Sequence, residues 1–285
     1  MAGKCDASEI VTEFLLNTCR LAPSINRRKI QAALTCANIA TLDEDEEAKS
    51  IPLITGSVAE FYIEPMLPLV GDIDVMCYFI TWLAIPRGHP PPALLPAEFH
   101  NYVNCVEIID SHLPGYVYLE LRYLLTQCID GSKYNCTEYK ETRYFTIRNY
   151  SVDVSRRHGP AVLTDYKQTW RFSFDQVHCV RCLSWPPQAA DWPTRHRNYD
   201  WPDSTTLDRV VSNGCDVVPV AHRQCRQHEW MGNYQERLSF SRAEIVLINS
   251  WMPVQQIVYH LLRYVIKTER LTDCAERTIC IKQYI

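Results

Sequence analysis

The run Asp72-Ile73-Asp74-Val75-Met76-Cys77-Tyr78-Phe79-Ile80 constrains the fold more than any other stretch of the chain. Ile73, Val75, Cys77 and Phe79 alternate with Asp72, Asp74, Met76 and Tyr78, and a period of two predicts a β-strand with one buried face. Residues 51–57, 115–121, 141–147 and 170–182 read as further strands. Both ends of the chain change to helical spacing. Ile10, Val11, Phe14, Leu15 and Cys19 form one stripe behind Ser8, a candidate N-cap. Ile257, Val258, Leu261, Leu262, Val265 and Ile266 form a second, with Pro253 where a first helical turn accepts it. Ser241-Arg242-Ala243-Glu244 has capping-box spacing ahead of an apolar run. The acidic run 42–47 reads as a solvated connection, 87–96 as a proline-rich loop, and 183–208 as a loop rich in Trp, Pro and Asp. Helix, mixed sheet, then helices make an α+β chain of two lobes.

Composition narrows the function classes. A chain of 285 residues with 47% hydrophobic and 22% charged residues can bury a sizeable core. Its net charge of −4 excludes a surface coated in positive charge for nonspecific nucleic-acid binding, though not a local basic patch. Arg27-Arg28-Lys29, Arg195-His196-Arg197 and Arg223 to Arg226 are the local clusters, each readable as a backbone-binding patch or a solvated face. No run of about 18 apolar residues predicts a membrane span. The first residues, MAGKCDASEIVTEF, carry charges where a signal peptide needs its apolar stretch, so a soluble cytoplasmic protein is expected. Thirteen cysteines, an odd number, then read as reduced core thiols rather than a disulfide framework. Cys179 and Cys182 beside His178 have ligand types but lack a second pair at zinc spacing.

The residues that carry chemistry are acidic. On a strand, Asp72 and Asp74 project from one face. Two carboxylates this close repel unless a cation lies between them, and Mg²⁺ or Mn²⁺ prefers oxygen ligands. Gly56-Ser57, fifteen residues earlier, makes a turn whose backbone can approach a phosphate. Together they point to metal-assisted phosphoryl or nucleotidyl transfer. The other reading of Asp72 and Asp74, the polar face of an edge strand, stays open at this level. Asp175, an acid inside a strand-like run, is the best third ligand, and by itself reads equally as a surface acid.

Several motifs occur in one order: Gly56-Ser57, Asp72-Ile73-Asp74-Val75-Met76, Gly159-Pro160-Ala161-Val162, Asp175 leading into Val180-Arg181-Cys182 and Trp185-Pro186, and Arg237-Leu238-Ser239-Phe240-Ser241-Arg242-Ala243-Glu244. This set resembles the cyclic GMP-AMP synthase-like receptors and the related male-abnormal (Mab) proteins over about residues 50–285. The resemblance implies a nucleotidyltransferase core, a mixed twisted sheet with an N-terminal spine helix, followed by a helical lobe. Its boundaries here would be 1–48 for the spine region, 49–236 for the core and 237–285 for the start of the lobe. It implies that Asp72, Asp74 and Asp175 hold catalytic Mg²⁺ or Mn²⁺, and that Gly56 and Ser57 hold the donor triphosphate. Arg237, Ser239, Ser241, Glu244, Arg263, Thr278 and Lys282 would contact nucleotide. ATP and GTP are the implied substrates and a cyclic dinucleotide the implied product.

The sequence also departs from the resemblance. From Ser241 through Tyr264 there is no cysteine, so the zinc-binding insertion of the family's vertebrate DNA sensor is absent and no zinc is expected. Double-stranded RNA is therefore the expected trigger. Ile279 falls where relatives carry a base-stacking aromatic. The chain ends at Ile285 where the family continues through further helices, so an incomplete helical lobe is expected. These departures support a rival reading, a catalytically inactive Mab-type scaffold that binds nucleotide or a protein partner. A linear nucleotide-adding polymerase would use the same carboxylates.

Overall fold

Strand β2 (Asp74–Pro86) organises the molecule, because its thirteen residues serve three neighbours in succession. In the computed structural model, residues 49–60, 73–150, 157–158, 161–165, 173–197 and 201–252 are described, with a few isolated positions besides. Along its first half, β2 pairs antiparallel with β1 (Ser50–Thr55) on one edge and parallel with β8 (Ser173–Cys182) on the other. A register shift between Tyr78 and Leu83 changes which side chains face inward. Beyond it, Trp82–Pro86 takes β3 (Tyr102–Asp110) as its parallel neighbour where β1 has ended.

The remaining strands close a ring. β3 pairs antiparallel with β4 (Tyr116–Gln127), whose other edge takes β5 (Tyr134–Phe145) and, at its start, β10 (Glu236–Ser239). β10 pairs with β9 (Cys215–Val218), β9 with β8, and β8 returns to β2. β6 (Arg157–His158) and β7 (Ala161–Asp165) extend the ladder outward from β8. All six ring strands send apolar side chains into one cluster, among them Phe79, Trp82, Val106, Leu119, Val180, Val217 and Leu238. A second cluster of Leu83, Ile85, Val103, Leu125 and Phe99 lies under the proline-rich loop.

The helices are short. α1 (Gly56–Glu60) follows β1 directly. α2 (Ser204–Ser212) begins inside the stretch expected to be loop to 208. Its local signal is Asp203, whose carboxylate accepts from Thr206 N at 2.9 Å as an N-cap; the β-branched pair Thr205-Thr206 obscures it. α3 (Glu229–Tyr234) precedes β10, and α4 (Ser241–Asn249) follows it. The expected capping box at Ser241 and Glu244 does not form. The N-cap is Phe240, the Glu244 N–H donates to Phe240 O at 2.9 Å, and Ser241 Oγ lies 3.1 Å from Ser239 Oγ instead.

The C-terminal stripe also differs from expectation. Val258, Leu262 and Val265 are about half exposed, whereas Tyr259, outside that stripe, is buried against Trp251. The expected first helix, the acidic run 42–47, Gly159-Pro160 and Ile279 lie outside the described residues. The eight described cysteines are free thiols, and six of them are buried. Among the described residues no helix is long and apolar enough to cross a membrane.

One buried polar group ties this core to pH. His178 on β8 stacks on Phe79 with ring centroids 5.4 Å apart, and its Nε2 lies 3.3 Å from Gln176 Nε2. Burial lowers its pKa from 6.5 to about 4. Between those values the unfolded chain binds a proton that the folded chain refuses, so this group favours folding above pH 6.5 and the contribution is lost as pH falls towards 4. Its full size is about 3 kcal/mol. Chemical denaturation of the protein and of His178→Gln, run in parallel from pH 7 to 4, is expected to show the variant losing less stability over that window.

Candidate active site

The β2–β8 pairing decides where the acids lie. Asp74 and Asp175 are register partners on neighbouring parallel strands, and the Asp175 N–H donates to Ile73 O at 2.9 Å. Paired residues project from the same side of a sheet, so the two carboxylates stand side by side, both half-buried. Two acids 101 residues apart in sequence thus share one face. Like charges directly opposite are destabilising, and a divalent cation on oxygen ligands offsets that repulsion. The donor chemistry therefore fits Mg²⁺ or Mn²⁺. Asp72, the third expected ligand, lies outside the described residues, and among those described no cluster of three metal-ligating side chains occurs.

The Gly-Ser turn sits against the same acids. Thr55, the last residue of β1, pairs with Asp74, and Gly56 follows with φ +61°. A Cβ at Gly56 would overlap the Asp74 carboxylate. Both the left-handed backbone and the close approach require glycine here. Ser57 is the second residue of α1.

From the acids the face continues across the sheet. Met76 is paired with Val177 and Tyr78 with Cys179; next come Arg181 opposite Asp216 and Asp216 opposite Ser239. Arg237 pairs with Val218 on the same side of β10 and is exposed. Arg237 and Ser239 therefore share a sheet face with Asp74 and Asp175, and Ser241 is held to Ser239 through their hydroxyls.

Between the acids and the serines lies an ion cluster that the sequence analysis did not single out. Asp216 is fully buried, with Arg242 Nε 3.0 Å from Oδ2 and Arg181 Nη1 3.7 Å from Oδ1. Burial raises the Asp216 pKa, while the two guanidinium groups oppose the rise. Burial likewise lowers that of Arg181. Arg181 also donates to the carbonyls of Cys182 and Cys215, and the Arg242 guanidinium lies 4.9 Å over the Tyr78 ring. The only signal in the sequence is an acid inside the apolar run Cys215-Asp216-Val217-Val218.

Glu244 is placed elsewhere. Helix α4 turns Arg242 towards Asp216, and residues two apart on a helix do not share a face. Glu244 instead lines a cavity with Trp185, Trp192, Phe240 and Leu247. Arg263, Thr278 and Lys282 lie outside the described residues.

A family model, the Mab-21 protein nucleotidyltransferase domain, matches residues 100–250. The chain belongs to the Mab-21 nucleotidyltransferase family. The matched span holds Asp175, Arg237, Ser239, Ser241 and Glu244, and it begins after Gly56, Asp72 and Asp74. No curated protein matches the chain. For a Mab-21 domain, the pairing of Asp74 with Asp175 joins a residue outside the matched span to one inside it.

The approach of Gly56 to Asp74 yields a direct test. Gly56→Ala is expected to lower the midpoint of thermal unfolding, at a cost of at least about 1 kcal/mol for the left-handed backbone. It should also weaken ATP binding measured calorimetrically in Mn²⁺. Nucleotide affinity equal to that of the unaltered protein would remove the Gly56 turn from the site.

Proposed function

We propose that this Mab-21 domain protein is a metal-dependent nucleotidyltransferase, and that it joins ATP- and GTP-type nucleotides into a cyclic dinucleotide. The observation that carries this reading is the register pairing of Asp74 with Asp175 under the Gly56 turn. A bound Mg²⁺ or Mn²⁺ would neutralise triphosphate charge and lower the pKa of an attacking ribose hydroxyl. Asp74 and Asp175 would hold it, with Asp72 as the third carboxylate.

The chain's own groups supply position and field. Gly56 presents backbone next to Asp74, where the donor triphosphate would lie, and Ser57 follows it as the second residue of α1. Arg237 is an exposed cation on this face, suited to a phosphate or a base edge, and Ser239 and Ser241 offer hydroxyls beside it. In the reaction a ribose hydroxyl oxygen bonds the α-phosphorus, the bond to pyrophosphate breaks, and the hydroxyl proton is released to solvent. A second round between the same two nucleotides closes the ring. Arg263, Thr278 and Lys282 belong to this proposal as nucleotide contacts. Glu244 is proposed as a further contact, from the flank of α4 that lines the aromatic cavity. Double-stranded RNA is the proposed activating ligand, on the absence of the zinc insertion from the sequence.

The test uses labelled nucleoside triphosphates with Mg²⁺ or Mn²⁺, with and without long double-stranded RNA. A phosphatase-resistant cyclic product that increases with RNA is expected. Asp74→Asn and Asp175→Asn should each reduce it by a factor of at least about 100, since each removes charge from the metal site, while keeping the unfolding transition cooperative. Product formed undiminished by either variant would overturn the carboxylate assignment. A linear product would replace cyclisation with chain addition. No product under any condition from folded protein would favour a nucleotide-binding scaffold.

A further inference from the structure

Two cysteines face each other where β8 and β9 meet. Cys182 ends β8, Cys215 begins β9, and the two are register partners on these antiparallel strands. Among the eight described cysteines no other two are paired in this way. Antiparallel partners hold their Cα atoms about 4.5–5.5 Å apart, inside the span of about 4.4–6.8 Å that a disulfide bridges. Both side chains lie in the buried core of the strand ring. Their thiols are already in contact: Cys215 donates to Cys182 Sγ, and Cys182 in turn donates to Ser184 O at 3.3 Å.

The backbone holds the pair in place. Gly214, with φ +59°, comes so close to β8 that a Cβ there would overlap Cys182 O, so the turn into β9 closes directly on the end of β8. Arg181 Nη1 donates to the carbonyls of both cysteines, at 3.3 Å to Cys182 and 2.9 Å to Cys215. One guanidinium therefore fixes both backbones, and joining the sulfurs needs no rearrangement of the strands. The pair sits at the end of its strands. Ser184 and Ser212, two and three residues along the chain, are exposed, so a small oxidant arrives by opening of a strand end rather than of the whole core.

The hydrogen bond makes the two thiols unequal. It lowers the pKa of Cys182, which accepts it, and raises that of Cys215, which donates it, with burial adding to the rise. The thiolate is the nucleophile in thiol oxidation. We propose that Cys182 and Cys215 form a peroxide-oxidised dithiol site, with Cys182 as the attacking and Cys215 as the resolving thiol. The Cys182 sulfur bonds one oxygen of hydrogen peroxide, the O–O bond breaks, and the departing hydroxide takes up the Cys182 proton as water. The Cys182 sulfenic acid then condenses with Cys215: the S–S bond forms, the S–O bond breaks, and a second water carries away the Cys215 proton. The two thiols lose two electrons and one peroxide is reduced to two waters. The new bond closes a loop from β8 through α2 to β9, beside the Arg181–Asp216 pair, and constrains the unfolded chain.

Peptide mapping of the full chain tests this, after treatment with hydrogen peroxide, alkylation and digestion without reductant. A peptide pair joined through Cys182 and Cys215 is expected, reversible by dithiothreitol, with the circular dichroism of the folded protein retained and the midpoint of thermal unfolding raised. In Cys215→Ser the reaction stops at the sulfenic acid, so dimedone should label Cys182. In Cys182→Ser it should leave Cys215 unlabelled. Absence of the joined peptides from folded protein, at peroxide concentrations that oxidise the exposed thiol of Cys136, would overturn the proposal. Labelling of Cys215 in preference to Cys182 would do the same. Mapping of the unaltered protein carries the test if a variant unfolds. No nucleotide or divalent metal enters these samples, so the result stands apart from success or failure of the nucleotidyltransferase reading.

Discussion

The parallel pairing of β2 with β8 is the contact on which the rest of the structure depends. It closes the ring of six strands, and so creates the enclosed core in which Phe79, Val180 and Val217 meet. The same register sets Asp74 beside Asp175. A slip of β2 by one residue would turn its run inside out, sending Asp74 into the core and Val75 to the surface. Burial of Val75, Cys77 and Phe79 on one side and of Phe174, Val180 and Cys182 on the other opposes such a slip. The free energy that fixes the acids is therefore that of the hydrophobic core, and the site inherits its precision from packing.

The buried ion cluster connects this sheet to α4. Removing one member of a buried pair leaves an uncompensated charge, which costs about 3–5 kcal/mol. Arg242 reaches Asp216 from the first turn of α4, and Asn249 Nδ2 reaches Ala59 O of α1 from its last. These bonds fix the rotation of α4. They turn Arg242 to the sheet and leave Phe240, Ala243, Glu244 and Leu247 for the aromatic cavity. One helix thus serves two chemically different environments.

Much of this was legible in the sequence where periodicity was clean. The alternation through Ile73, Val75, Cys77 and Phe79 identified the central strand, and Asp74 and Asp175 were recognisable as acids in strand-like runs. Their adjacency was not, because register between strands so far apart in the chain is a property of tertiary packing. Strand β3 (Tyr102–Asp110) escaped notice since Val103, Cys105, Val106 and Ile108 are buried on both faces and the alternation disappears. Asp216 was hidden for a related reason: a buried acid has no signature until its partners, Arg181 and Arg242, are known in space. Glu244 shows the converse. Its motif is shared with the resembled family, and it is the helical rotation fixed by Arg242 that sets it on the flank lining the aromatic cavity. A motif carries residue identity, whereas orientation depends on what packs behind it.

The central claim is that Asp74 and Asp175 hold one divalent cation beneath the Gly56 turn. Crystals grown with Mn²⁺ and a non-hydrolysable ATP analogue, measured at the manganese absorption edge, test it most directly. The account predicts an anomalous peak at about 2.0–2.3 Å from a carboxylate oxygen of each residue, the distance expected for hard cations on oxygen, with triphosphate density against Gly56. Nucleotide bound with no such peak, or with manganese held by other side chains, would contradict it.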